Sequence, residues 1–533
     1  MDNKKVPSVK KSNNRIGRNG NVGDGRGGNG TAEKSGRGKE DTAARSAKSA
    51  VRENRWVKAE SATGRNEKNG RFDKGRRDDH QADRLVTGGY KRTGQFEKGA
   101  GESRKPVSEY KVNGQPQKRR GDNGQSVGER KGSSRYENDH KDTRIVKSPC
   151  PVSRKCGGCR WIHKSYEEQL KQKEKWVKEL LQPYCSPEPI VGMEEPSHYR
   201  NKVHAVFGED KKHNPVSGIY EEGTHNIVPV DSCLIENRKA DEIIVSIRSL
   251  LKSFKIRPYN EDTGYGLLRH VLIRTGHVTG EIMVVLVLSS PVMPSKNNFV
   301  KALLKLHPEI TTVVVNVNNR STTMVLGDKE QVIYGKGYIE DVLCGMTFRI
   351  SPKSFYQVNP VQAEKLYQKA LEYAGLTGTE TVVDAYCGTG TIGMIASAQA
   401  GKVIGVELNA DAVKDARNNA KRNEVKNIQF YQNDAGKFLV EMAEQQASVD
   451  VLLMDPPRSG SDEDFLRAVA KIMPEKIVYI SCNPETLVRD LKVLKKSGYG
   501  VMRGGAVDMF PFTDHIEVVI MMTYCGSDKK NKK

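Results

Sequence analysis

Four short motifs in the C-terminal third of this 533-residue chain carry residue types suited to covalent catalysis. Ser481-Cys482-Asn483-Pro484 offers a thiol, and His515-Ile516-Glu517 a carboxylate. Asp455-Pro456-Pro457 offers a second carboxylate, about one strand–helix–strand unit before the thiol. Upstream, Asp384-Ala385-Tyr386-Cys387-Gly388-Thr389-Gly390 reads as a ligand-binding turn. Such a set suits activation of a weak carbon nucleophile. Uracil C5 is one: thiolate addition at C6 turns the ring into an enolate reactive at C5. A base must then remove the C5 proton so that the thiolate can leave. Cys482 is the candidate nucleophile and Glu517 the candidate base, with His515 a rival for the second role. Asn483-Pro484 turns the chain toward a helix starting near Glu485, and a cysteine at a helix N-terminus tends to have a lowered pKa. A lone cysteine is more often a core residue, which is the reading for Cys185, Cys344, Cys387 and Cys525; Glu517 alone could be a surface carboxylate on an edge strand.

The cofactor site follows from the upstream turn. Gly388-x-Gly390-x-x-Gly393 closes a strand and opens a helix, so backbone N–H groups can approach a ligand. Glu407 lies 19 residues after Gly388, where a carboxylate can accept from both ribose hydroxyls. That pattern alone also fits a dinucleotide. Asp384, placed to hold a cationic amino-acid end, tips the reading to S-adenosylmethionine. So do Asp434 and Asp455, which follow the third and fourth strands along the sheet's carboxyl edge. Each acid taken singly could be a helix cap or a solvated loop residue; four after four successive strands is a poor match to that. Asp455 is also placed to accept from a pyrimidine N–H. Phe355-Tyr356-Gln357-Val358-Asn359 brings an aromatic and amides to the start of this domain, and Phe355 could stack on a base flipped out of its helix.

Positioning these motifs requires an alternating strand–helix pattern, as in a doubly wound α/β sheet. The predicted strands are 381–385, 403–407, 428–432, 449–454, 477–481 and 517–522. A helix is expected at 410–422, and the last strand is expected antiparallel at the sheet's edge. Residues 191–350 read as a mixed, mainly antiparallel central domain with strands at 272–274, 281–288 and 312–317 and a helix at 297–306. Residues 148–190 form a cysteine-rich segment and a helix. Ser165 and Glu168 make its capping box, and Leu170, Val177, Leu180 and Leu181 mark its face.

Residues 1–147 differ in kind. They hold 37 Lys and Arg against 20 Asp and Glu, a net of +17 out of +21 for the whole chain. They also hold 22 of the 50 glycines and none of the nine cysteines. With no sustained apolar period they cannot bury enough surface to offset chain entropy, so the expectation is a disordered basic tail. Such a tail is an electrostatic footprint for a polyanion, or else merely solubilising. Residues 1–30 lack the apolar stretch of a secretory signal, and runs such as Ile282–Leu288 are too short to span a bilayer. The expectation is a soluble, cytoplasmic monomer with no membrane association.

Cys150-x5-Cys156-x2-Cys159 places three thiols within ten residues, and Cys233 in a polar turn is the best fourth. Four thiolates suit zinc or an iron–sulfur cluster, and on spacing alone zinc is slightly ahead.

Over about 148–525 the chain resembles the bacterial RNA m5U methyltransferases, in particular those that methylate uridine C5 of 23S ribosomal RNA and carry a [4Fe-4S] cluster. The resemblance rests on Cys150-Pro-x4-Cys156-Gly-Gly-Cys159, His198-Tyr199-Arg200-Asn201-Lys202, Phe355-x-Gln357-Val358-Asn359 and the four motifs above, including Arg458 after Asp455-Pro456-Pro457. It implies a class I S-adenosylmethionine-dependent fold over 351–533, with 191–350 as an RNA-recognition domain. It also implies cluster ligands Cys150, Cys156, Cys159 and Cys233, and cofactor contacts from Gln357, Tyr386, Glu407 and Asp455. Cys482 would be the nucleophile and Glu517 the base. Many members begin with a small β-barrel; here the basic tail stands in its place. Rival readings are a tRNA uridine-C5 methyltransferase with the same catalytic residues, and a non-catalytic RNA-binding or ribosome-assembly factor. An amino-group methyltransferase fits less well, because Arg458 stands where a stacking aromatic is expected. Deleting residues 1–140 should weaken RNA binding and flatten its dependence on salt, measured by titration at several ionic strengths. Unchanged affinity and slope would make the tail a solubiliser.

Overall fold

The run Ile282–Leu288 is apolar at every position because its two faces belong to two different cores. Ile282, Val284, Leu286 and Leu288 face one cluster, and Met283, Val285 and Val287 face the other. A strand covered on both faces loses the polar half of its alternation. The computed structural model describes residues 148–526 apart from 222, 322 and 323. The expected tail, 1–147, lies outside the described residues.

The described chain begins with a short helix α1 (Ser153–Cys156) and the longer α2 (Tyr166–Leu181). The capping box at Ser165 and Glu168 is formed, each side chain accepting the other residue's N–H. The buried face of α2 keeps Val177 and Leu181 of the expected stripe but not Leu170 and Leu180. It is Gln169, Lys173, Val177 and Leu181, an i, i+4 row whose first two members are polar.

Next come β1 (Lys202–Glu209), β2 (Pro215–Tyr220), β3 (Ile227–Pro229), α3 (Arg238–Ser253), β4 (Leu268–Thr275), β5 (Ile282–Leu288), α4 (Lys296–Leu306), β6 (Ile310–Val317) and β7 (Lys329–Tyr334). The seven strands form one sheet in the order β3-β2-β1-β4-β5-β6-β7, antiparallel except for the β5–β6 pair. Ile243, Ile247 and Leu251 of α3 and Phe299 and Leu303 of α4 cover one face. A hairpin, β8 (Ile339–Leu343) and β9 (Met346–Ile350), then leads out of this sheet.

The remaining elements are α5 (Pro360–Ala374), β10 (Thr381–Ala385), α6 (Thr391–Ser397), β11 (Lys402–Glu407), α7 (Ala410–Arg422), β12 (Ile428–Gln432), α8 (Ala435–Glu444), β13 (Val451–Met454), α9 (Glu463–Ile472), β14 (Lys476–Ser481), α10 (Pro484–Lys496), β15 (Tyr499–Val507) and β16 (Glu517–Tyr524). Their sheet runs β12-β11-β10-β13-β14-β16-β15. The first five strands are parallel, with the order reversing between β10 and β13, where ligands of such sheets bind. Helices α5, α6 and α7 share a core with β5 and the hairpin, while α8, α9 and α10 pack on one another against the opposite face.

The last strand departs from expectation. β16 is antiparallel but interior, hydrogen-bonded to β14 on one side and β15 on the other. The edge strand is β15, whose Gly500, Gly504 and Gly505 read in sequence as turns. Here they relieve crowding: a Cβ on Gly505 would lie 2.9 Å from the Tyr373 hydroxyl, and one on Gly504 2.9 Å from Cys185 Sγ. Among the described residues no helix is long and apolar enough to cross a membrane.

One polar contact fastens α2 to this sheet's edge. Lys173 Nζ lies 2.7 Å from Asp508 Oδ1, and both side chains are 0% exposed. Lys173→Met should therefore destabilise the fold by about 3–5 kcal/mol, because it strands a buried carboxylate. Urea denaturation checks this; a loss below about 1 kcal/mol would mean that Asp508 finds other partners or takes up a proton.

Candidate active site

The ligand-binding turn is shaped by three left-handed residues. Tyr386, Gly388 and Gly390 have φ of +63°, +55° and +81°. Gly390 opens α6, and a Cβ there would meet Phe430 Cζ at 2.6 Å. Asp384 is buried beneath the turn, with one oxygen accepting the Gly393 N–H at 2.8 Å. At least half of its carboxylate thus serves the turn itself. Burial pushes its pKa up to about 8, the Gly393 bond opposing and Asp455 and Glu407 adding. Glu407 accepts the N–H groups of Gly388 at 3.1 Å and Asn409 at 2.8 Å. Asp434 caps α8 by accepting the Lys437 N–H at 3.0 Å. The Tyr386 ring lies 5.0 Å from that of Phe465.

Cys482 follows the last residue of β14 and precedes Asn483, which caps α10. Register brings in Glu517. Ser481 pairs with Val518 across the antiparallel β14–β16 ladder, so the next position puts Cys482 opposite Glu517. Glu517 is 5% exposed, and Asp455 follows β13 into the same space. Burial pushes both carboxyls up; Asp455's charge adds to the rise at Glu517, and Arg458 opposes it. The Cys482 thiol lies above its ordinary range, at about 11, through burial and then the charges of Glu517 and Asp455. This reverses the expected lowering, because α10's N-terminus is outweighed by desolvation and two carboxylates.

Arg458 Nη2 donates to His515 Nδ1 at 2.9 Å. That lone pair is therefore occupied, and burial together with Arg458 holds the imidazole below its usual pKa. His515 is a poor base in this setting. Gln357 accepts Asn201 Nδ2 at its carbonyl, while its side chain is bonded to Tyr367. Tyr367, on α5, is buried and raised in pKa by burial and by Asp455, Glu517 and Asp384. Sequence reasoning passed over it, since a tyrosine on an apolar helix face reads as core. Phe355, two residues before Gln357, is 67% exposed.

The cysteines of the N-terminal segment form a separate group. Cys159 and Cys233 pack on the same small cluster, Met193, Tyr199 and Ile235. Cys156 Sγ receives the Gly158 N–H, and Cys233 Sγ receives those of Ile235 and Glu236. Burial is the main cause raising Cys159 to about 11 and Cys233 to about 12. Cys150 lies close enough for its charge to be felt at both Cys156 and Cys159. Among the described residues no three cysteine, histidine or acidic side chains converge as ligands of a single ion.

A doubly wound sheet with a glycine turn after its first strand and acids along its carboxyl edge defines a class I S-adenosylmethionine-dependent methyltransferase. The sequence model of the family described as tRNA (Uracil-5-)-methyltransferase matches residues 165–524. An uncharacterized RNA methyltransferase of Halalkalibacterium halodurans is 42% identical over 382 residues, covering 71% of this chain and 83% of its own. One from Clostridium tetani is 43% identical over 389 residues, covering 72% and 84%. The Pyrococcus abyssi tRNA (uracil-54, C5)-methyltransferase, solved with S-adenosyl-L-homocysteine, superposes with a TM-score of 0.58 at 28% identity, covering 69% of this chain and 86% of that one. The chain belongs to the tRNA (uracil-5-)-methyltransferase family and is an S-adenosylmethionine-dependent RNA methyltransferase.

In the free protein the raised thiol should be slow toward iodoacetamide. At pH 8, Cys482 should react on the order of a hundredfold more slowly than an unperturbed thiol, followed by mass spectrometry of its peptide. At a pH high enough to ionise Glu517, Glu517→Gln removes a negative neighbour, lowers the thiol's pKa and should speed the reaction. A slower or unchanged rate would break the electrostatic link.

Proposed function

We propose that the protein methylates C5 of a uridine in 23S ribosomal RNA through a covalent bond between Cys482 and C6, with Glu517 as the base. The observation that carries this reading is the cross-strand placement of Cys482 opposite Glu517, with Asp455 beside them at the carboxyl edge of the sheet. Cys482 adds as a thiolate to C6, and the electron pair of the C5–C6 double bond moves into the ring enolate. S-adenosylmethionine, when bound, supplies an electrophilic methyl group on a cationic sulfonium, whose charge favours the ionised forms of Cys482, Asp455 and Glu517. Glu517 then takes the C5 proton, the double bond re-forms, and the thiolate leaves. Glu407 is suited to the ribose hydroxyls, and Gln357, Tyr386, Asp384, Gly388 and Asp434 to the rest of the cofactor. Asp455 is suited to accept a pyrimidine N–H. Phe355, exposed beside the site, suits stacking on a flipped base.

Cys150, Cys156, Cys159 and Cys233 are proposed as ligands of a [4Fe-4S] cluster. The N–H groups aimed at Cys156 and Cys233 fit thiolate sulfurs, since such bonds favour the ionised form. The cluster would pin the segment beside the central domain. The ribosomal target rests on the resemblance carried by these cysteines. A tRNA target is the second reading, favoured by the name of the family and by the activity named for the Pyrococcus abyssi enzyme. Either way we place the enzyme in the cytoplasm as a monomer.

Nucleoside mass spectrometry of ribosomal and transfer RNA from cells with and without the gene decides the target. Loss of 5-methyluridine from 23S RNA supports the proposal; loss only from tRNA overturns the target and keeps the chemistry. In vitro, Cys482→Ala should abolish both turnover and adduct. Glu517→Gln should slow resolution by about 10²–10⁴-fold and accumulate an RNA–protein adduct on denaturing gels. Normal turnover in Glu517→Gln would remove it as the base.

A further inference from the structure

The loop from Asp508 to Ile516 delivers Glu517 to the site, and it is gripped from outside the catalytic sheet. Phe512 sits at φ +68°, a conformation costly for a bulky side chain. Such strain persists only where the surroundings over-determine it. Both backbone groups of Phe512 are held by the cysteine-rich segment and its helix. Its N–H donates to Gln169 Oε1 at 2.7 Å, and its carbonyl accepts the Trp161 N–H at 3.0 Å. The Tyr199 hydroxyl donates to the neighbouring Pro511 carbonyl at 3.1 Å. Lys173 holds the start of the loop through Asp508 and, at 3.1 Å, the Phe510 carbonyl. Trp161 is two residues from Cys159, and Cys159 packs on the same cluster as Phe512. These bonds touch neither the thiol nor the glycine turn; they act on the one segment that ends in Glu517.

We infer that Gln169, Trp161 and Tyr199 are positioning residues for Glu517: by locking Phe512 in its left-handed conformation and holding Pro511 beside it, the cysteine-rich segment and Tyr199 set where the carboxylate meets the C5 proton. This rests on the reading of Glu517 as the base. It predicts that loosening the grip slows removal of the proton while leaving thiol addition and methyl transfer intact, whereas general loosening of the fold would slow every step together.

The test uses the full-length protein with its metal content intact, S-adenosylmethionine, and total RNA from cells lacking the gene. Adduct formation is followed on denaturing gels, and its resolution by release of 5-methyluridine. Gln169→Leu is expected to form adduct at the wild-type rate and resolve it about tenfold or more slowly, since a misplacement of about 1 Å can cost about 10²-fold. Wild-type resolution, or an equal fall in both rates, overturns the inference. If circular dichroism shows that Gln169→Leu does not fold, the same two rates in Tyr199→Phe decide it. Glu517→Gln run in parallel separates the two readings. If it traps adduct and the grip variants do not, the positioning inference alone fails; if it resolves adduct normally, the base assignment fails and takes this inference with it.

Discussion

Strand β16 runs against the five parallel strands of its sheet, so it begins at the edge where they end. Every other feature of the candidate site depends on that reversal. Side chains at the carboxyl ends of parallel strands arrive by a common route, through a loop that leads on into a helix. A residue at the start of an antiparallel neighbour reaches the same edge from the far end of the chain. The β14–β16 ladder sets Cys482 and Glu517 on facing positions, and cross-strand neighbours lie close enough for each to feel the other's charge. Had β16 taken the outer position, β15 would separate the two groups.

Proximity has an electrostatic cost. Asp384 and Glu517 are buried with the half-buried Asp455, and each of the three is raised above the ordinary carboxylate range first by desolvation. Burial first, and then the ionised forms of Glu517 and Asp455, raise the Cys482 thiol, while Arg458 opposes the rise at both Cys482 and Glu517. Arg458 is itself oriented, donating to His515 and accepting at its carbonyl from Asn483 and Thr486.

The parallel half of the catalytic sheet was legible because each strand is short, mostly apolar and followed by a glycine turn, an acid or, after β14, the Asn483-Pro484 turn. β15 was not, since glycines that relieve contacts with Tyr373 and Cys185 look in sequence like turns. Losing β15 misplaced β16 at the edge. The face of α2 was misread for a related reason: Gln169 and Lys173 are polar, yet each is buried against a partner on the 508–512 loop. Periodicity counts apolar residues and so misses a helix face that is buried through hydrogen bonds and an ion pair. The pKa of Cys482 lay beyond sequence altogether, because it depends on residues 27 and 35 positions away in the chain.

Two loops that bound the site are held by parts of the chain that contribute no candidate catalytic group. The 351–359 loop, carrying Phe355 and Gln357, is fastened to the central sheet. Arg274 donates to the carbonyls of Ser351 and Ser354, and Asn201 donates from its amide to Gln357. Arg274 is buried with carbonyl partners and its pKa is lowered to about 10, so this cation is kept at an energetic cost. The 508–516 loop is fastened in the same manner by Lys173, Gln169 and Trp161. In both cases the anchor is a buried polar group on a rigid strand or helix, or a backbone N–H, bonded mainly to main-chain atoms of the loop. Bonds to main chain fix a loop's path without regard to its side chains, leaving Phe355, Gln357, His515 and Glu517 free to be chosen for chemistry. The central sheet and the cysteine-rich segment therefore act on the reaction through the positions they impose, whatever further contacts they make with RNA.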